Sequence, residues 1–79
     1  MTEFSKLVRK ARAKRDITQI ELARKMGYKS SQYVSDVERS KARPSLKYAA
    51  AISTRLKINP AEVKRTLIID YKRALNACL

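Results

Sequence analysis

Apolar residues along this chain recur at steps of three and four, the spacing of helices with one buried face. Phe4, Leu7, Val8 and Ala11 line one side of a first helix that Thr2 can cap, and Lys6, Arg9, Lys10, Lys14 and Arg15 occupy much of its remaining surface. Thr18 and Glu21 fit a capping box, in which each side chain satisfies a backbone donor of the other residue. Leu22, Ala23 and Met26 then face inward, and Gly27 is the natural stop, so a second helix runs from Gln19 to about Met26. After Tyr28-Lys29, Ser30 is positioned to cap a third helix from Ser31 to about Arg39. Val34 and Val37 are its inward positions, while Gln32, Ser35, Asp36 and Arg39 point the opposite way at about 100° per residue.

A basic loop, Ser40-Lys41-Ala42-Arg43-Pro44, leads to Ser45, which can cap a fourth helix carrying Leu46, Ala49, Ile52 and Leu56. Asn59-Pro60-Ala61-Glu62 supplies an Asn cap, Pro at the first helical position and Glu three residues after the cap. This fifth helix is expected from Pro60 to about Ala77. With one Gly and two Pro in the chain, little interrupts helices. The pattern predicts an all-α chain of five helices joined by short loops.

Length and charge narrow the chemistry. A chain of 79 residues is expected to form one small domain over 1–79, burying only roughly 60% of its unfolded surface. That leaves little room for a catalytic cleft. Lys and Arg number 19 against 7 Asp and Glu, a formal charge of +12. So basic a chain repels itself until it meets an anion, with nucleic acid or an anionic membrane the usual partners. There is no His, and Cys78 is the one cysteine. Neither a tetrahedral zinc site nor a Ser-His-Asp or Cys-His catalytic set can be assembled from that inventory. No paired general acid and base can be named. The expectation is a protein that is not an enzyme and uses no metal, cofactor or small-molecule ligand. A single thiol excludes an internal disulfide and agrees with a reducing compartment. The first residues lack the apolar core of a signal peptide, and no apolar run approaches the roughly 20 residues of a membrane span. These features predict a soluble, cytoplasmic protein.

Two short helices joined by a tight turn containing Gly describe a helix-turn-helix unit, here over about 18–39. Residues 18–46 resemble the family of phage Cro proteins and lambda-type repressors. The matching elements are Thr18-Gln19, Leu22-Ala23, Gly27, Val34-Ser35, Val37-Glu38 and Pro44-Ser45-Leu46, with broader similarity over roughly 4–64. The turn after Gly27 is one residue longer than the commonest family pattern. Asp16 and Ser40 stand where the family usually has Gly. The resemblance implies a compact five-helix domain of the lambda-repressor-like type with an extended C-terminal helix.

The resemblance further implies that the third helix enters the major groove of double-stranded DNA. Ser31, Gln32, Ser35, Asp36 and Arg39 then become base-reading candidates. Gln can bond adenine in two places, Arg can fork onto guanine, and Asp can accept from cytosine. Asp36 is repelled by phosphate, so it either selects a cytosine or pairs with Arg39 or another base. Gln19 matches a position the family uses on phosphate; Lys29, Ser30, Lys41 and Arg43 flank the unit as further phosphate candidates. Arg12 and Glu38 match a family pair tying the first helix to the recognition helix, a structural role. The basic face of the first helix can touch phosphate or simply be solvated. Tyr28 and Tyr33 can stack on single-stranded bases, but packing beside the turn suits a duplex reader better. Ile20 occupies a usually polar position without an evident reason.

The last helix poses a separate question. Val63 and Leu67 can complete the core, yet Ile68, Tyr71, Leu75 and Leu79 continue at three- and four-residue steps. They either pack back on the first helix beside Phe4 and Val8 or form a homodimer seam, the reading favoured here. The whole predicts a dimeric, sequence-specific DNA-binding regulator, a small phage- or bacterium-type repressor acting at a palindromic operator. The alternatives are an antitoxin or adaptor whose C-terminal helix binds a protein partner, and a basic amphipathic binder of membrane surfaces. The last explains the charge but neither the caps nor the turn, so no membrane partner is expected.

Overall fold

The computed structural model describes residues 1–79 and contains five helices: α1 (Glu3–Lys14), α2 (Gln19–Lys25), α3 (Gln32–Glu38), α4 (Leu46–Arg55) and α5 (Pro60–Cys78). It has no strand. Most starts follow the local signals. Thr2, Thr18, Ser45 and Asn59 each accept a backbone N–H of the first helical turn, and Pro60 occupies the opening turn of α5. The box at Thr18 closes differently from its expected form. Glu21 does not return to the Thr18 backbone; its carboxylate accepts the Thr18 hydroxyl at 3.0 Å. The start of α3 also departs from expectation. Ser31, not Ser30, is the N-cap and makes no side-chain cap bond, while the Ser30 hydroxyl accepts the Gln32 N–H at a long 3.4 Å.

The first four helices end alike. The N–H of Ile17, Tyr28, Lys41 and Ile58 reaches back to the carbonyls of Arg12, Ala23, Asp36 and Ser53, satisfying oxygens that a helix end leaves free. This closure puts one residue per helix in the left-handed region: Asp16 (φ 55°), Gly27 (φ 87°), Ser40 (φ 62°) and Lys57 (φ 53°). Only one is glycine. Asp16 and Ser40 adopt the conformation that Gly would supply most easily; Lys57 does so without any warning from its residue type.

One core draws on all five helices: Phe4 and Val8, Leu22 and Ala23, Val34 and Val37, Tyr48, Ala49 and Ile52 with Leu56, and Val63. Leu46, grouped by spacing with the inward positions of α4, instead lies 80% exposed. In the same first turn of α4 it is Tyr48 and Ala49 that enter the core. The expectation that Val63 helps to complete the core holds, whereas packing of the α5 stripe back on α1 does not. The first half of α5 packs on α1 and α4, burying Val63 and Thr66. Ile68, Tyr71, Leu75 and Leu79 remain exposed and do not return to Phe4 and Val8.

Polar contacts also tie α5 to α1. Both carboxylate oxygens of Asp70 accept at the start of α1, from the N–H groups of Glu3 (2.8 Å) and Phe4 (2.9 Å). These donors have no partner within their own helix, and the positive end of the helix favours an anion there. Arg73 reaches Glu3 from the next turn of α5 at 3.4 Å.

Candidate nucleic-acid interface

The turn Met26–Ser31 delivers α3 with its buried side, Val34 and Val37, against α2 and α1. Local propensity does little to hold a helix of seven residues. Three tertiary devices fix its position. First, Glu38, 3% exposed, receives a two-pronged contact from Arg12, Nε to Oε2 at 2.8 Å and Nη2 to Oε1 at 3.1 Å. The remaining terminal nitrogen of Arg12 donates to the Ile17 carbonyl at 2.8 Å, so one guanidinium joins α1, the turn to α2, and α3. A planar fork suits this task as a lysine would not. Second, Ser40 turns its hydroxyl to the N-terminus of α1, accepting the Thr2 N–H at 2.9 Å and lying 3.1 Å from the Ser5 hydroxyl. This is the use of a serine at a left-handed position where Gly is the easier residue. Third, Tyr33 packs on Tyr48 in a tilted contact with ring centroids 4.3 Å apart, and Tyr28 closes the cluster edge-on to Tyr33 at 5.6 Å. The tyrosines thus pack together beside the turn rather than standing out as a stacking platform.

Tyr48 contributes apolar bulk more than polarity. It is 6% exposed, and its hydroxyl has no hydrogen-bond partner. Burial, reinforced by the neighbouring Tyr28 and Tyr33, pushes that hydroxyl well above the ordinary tyrosine range.

The outward side of α3 carries the sequence-predicted readers. Gln32 and Arg39 are exposed, while Ser31, Ser35 and Asp36 are half-buried. Asp36 does not pair with Arg39. Its Oδ1 accepts the Gln32 Nε2–H at 2.9 Å, one helical turn back. The pair holds the Gln32 amide in one orientation, leaving its oxygen and second N–H to meet a ligand. Gln19 is likewise partly engaged, donating from Nε2 to Glu38 Oε1 at 3.2 Å. Its other amide hydrogen remains, so the contact orients the group without consuming it.

In the segments flanking α3, Lys29, Ser30, Lys41 and Arg43 are all exposed, and Arg43 also borders a surface cleft with Thr2, Ser40, Asp70 and Arg73. Lys29, Arg39, Lys41 and Arg43 have no acid within ion-pair distance; the three pairs in the molecule involve Lys6, Arg12 and Arg73. Unpaired cations beside a polar helix face can neutralise phosphates while the helix meets base edges. The residues that sequence reasoning missed are those that aim this surface: Ser5, Ser40 as a ligand of α1, Tyr48 and Asp70. Asp70 had one visible signal, since it shares a stripe with Val63 and Thr66 at three- and four-residue steps.

No group of His, Cys, Asp and Glu side chains is arranged to hold a metal, and no helix is long and apolar enough to cross a membrane. Compared with known proteins, residues 8–63 match the family described as helix-turn-helix. Neither the curated proteins nor the solved structures provide a match.

Proposed function

Because this chain belongs to the helix-turn-helix family of Cro-like and lambda-type DNA-binding regulators, we propose that it is a sequence-specific repressor. It acts at a palindromic operator as a homodimer. The observation that carries this reading is the polar outer face of α3, with Gln32 oriented by Asp36, set among the unpaired cations Lys29, Arg39, Lys41 and Arg43. In the major groove, Gln32 reads adenine through its free amide oxygen and nitrogen, Arg39 reads guanine, and Ser31 and Ser35 supply hydroxyls. Asp36 acts chiefly on Gln32, with its second oxygen left for a cytosine amino group. Gln19, Lys29, Ser30, Lys41 and Arg43 serve the phosphates and set the register.

The exposed stripe Ile68, Tyr71, Leu75 and Leu79 supports the dimer, because water contact with four large apolar side chains on one helix is unfavourable. A two-fold through α5 then sets the recognition helices about 34 Å apart, on successive major-groove turns. An antitoxin or adaptor partner on the same stripe is the second reading that this exposure favours.

Selection from a random duplex library at physiological salt tests the proposal. Two related half-sites in inverted repeat are expected. Gln32→Ala should relax preference at one base per half-site by about 1–3 kcal/mol, whereas Lys41→Gln should weaken all sites alike and flatten the salt dependence. Salt-sensitive binding without any enriched sequence overturns the specific reading. Dimerisation is tested by sedimentation of an Ile68→Ser, Tyr71→Ser, Leu75→Ser variant, which leaves Thr66 and Asp70 intact. Cutting the chain at Arg65 removes the Asp70 contacts with α1 and confounds association with folding. An unchanged dimer in the triple variant sinks the seam assignment.

A further inference from the structure

Of the nineteen cations in the chain, the DNA-reading face accounts for Lys29, Arg39, Lys41 and Arg43. A second concentration lies elsewhere. Lys6, Lys10 and Lys14 follow one another at four-residue steps along α1, a stacking of like charges that destabilises an isolated helix by a few tenths of a kcal/mol per pair. Only Lys6 has an acidic partner, Glu3. Across from this row, Lys57 and Arg65 complete the rim of a cleft of ≈ 500 Å³ between α1, the α4–α5 turn and α5.

The floor of the cleft is apolar. Leu7, Ala11 and Ile58 are half-buried there, with Leu56 beneath them. Arg15 also lines the cleft, its Nε donating to the Leu56 carbonyl at 2.6 Å. Glu3 is held by Lys6 and Arg73, which leaves Glu62 as the one unpaired acid of the lining. The cleft also faces away from α3. Arg12 points from α1 to Glu38 on α3, and Lys10 and Lys14, two residues to either side, lie about 160° round the helix from it. A duplex gripped by α3 therefore does not lie against this row of lysines.

We propose that this cleft is a docking site for an acidic, amphipathic protein segment, distinct from both the DNA-reading face and the exposed stripe of α5. Carboxylates of the segment meet Lys6, Lys10, Lys14, Lys57 and Arg65, and one or two of its apolar side chains settle on Leu7, Ala11 and Ile58. An apolar floor within a cationic rim distinguishes this occupant from nucleic acid, whose phosphates have nothing to place on that floor. The inference does not depend on the DNA-binding role, so a regulator that reads DNA through α3 keeps this flank open to a protein while bound.

The test uses the full chain and a fluorescein-labelled synthetic helical peptide of about 14 residues, with Glu and Asp on one face and Leu and Phe on the other. Anisotropy at physiological salt should report binding, and amide shifts on titration should centre on Leu7, Ala11 and Ile58. A variant carrying Lys10→Gln and Lys14→Gln, both exposed positions, should bind the peptide about five- to tenfold more weakly while its affinity for duplex DNA changes less than about twofold. Replacing Leu and Phe of the peptide with Ser should abolish the shifts at the floor. Equal binding of that Ser peptide overturns the proposal in favour of unspecific charge attraction. Shifts centred on α3, or a parallel loss of duplex affinity in the lysine variant, overturn it in favour of a nucleic-acid surface.

Discussion

Helices α3 and α5 are opposites in how they are held. The longer one, Pro60–Cys78, starts from an Asn cap with Pro in its opening turn and needs no neighbour to define where it begins. Yet beyond Asp70 it contributes no buried side chain to the core. The shorter one, Gln32–Glu38, lacks a side-chain cap bond altogether, but Val34, Val37 and Glu38 are buried and its two ends are tied to α1 and α4. Local signals decide where a helix can form. Tertiary contacts decide which helix is held in one fixed orientation on the core.

The strongest way to break this contrast is to cut the tie of α3. Glu38→Ala leaves the Arg12 guanidinium without its carboxylate and should cost about 3–5 kcal/mol. For so small a domain that loss is much of the total stability, and urea unfolding should register it together with loss of DNA binding. A loss under about 1 kcal/mol shows instead that the apolar contacts of Val34 and Val37 position α3 by themselves.

Asp70 probes the one place where α5 behaves as α3 does. Asp70→Ala removes a charged acceptor from two N–H groups at the start of α1 and should cost about 1.5–3 kcal/mol. Amide exchange at Glu3 and Phe4 should quicken accordingly. If stability is unchanged, the two helices are joined through Val63 and Thr66 alone.

Tyr48→Phe carries the opposite sign. Removing a buried hydroxyl that has no partner should stabilise the fold by up to about 1 kcal/mol. It also predicts a pH signature. Burial raises the folded-state value of this hydroxyl above its unfolded one, so the folded protein keeps the proton after the unfolded chain has released it. The associated stability is intact below the ordinary tyrosine range, near pH 10, and is lost progressively above it. The Phe variant should decline less steeply there. Identical alkaline slopes in the two proteins contradict the buried, unpaired state of Tyr48.

The smallest effect belongs to the far end of α5. In dilute solution, where the proposed dimer would dissociate, Leu75→Ser should change stability by no more than about 0.5 kcal/mol, as at an ordinary surface position. A larger loss in the monomer shows that this half of α5 contacts the core after all.

Much of this architecture is legible residue by residue. Thr2, Thr18, Ser45 and Asn59 announce helix starts because a side-chain oxygen next to an orphan N–H acts over a few bonds, whatever the rest of the chain does. The spacing of Phe4 with Val8, Leu22 with Ala23, and Val34 with Val37 reveals the faces that meet in the core, because burial of apolar area has no directional requirement beyond sharing a side. The same logic exposes Gln32 and Arg39 on the outside of α3, and the family resemblance supplies the Arg12–Glu38 tie.

What the chain does not announce are choices among partners at long sequence separation. The pattern of α5 is silent on Asp70 capping a helix 66 residues away. Residue type does not foretell that Ser40 fastens the start of α1, that Lys57 accepts a left-handed backbone, or that Leu46 stays in water. Asp36 had several possible partners, and the helix geometry settled on Gln32 one turn back over Arg39. In each case short-range chemistry determined what a residue was able to do, while the packed arrangement of five helices determined which available partner came within hydrogen-bond reach.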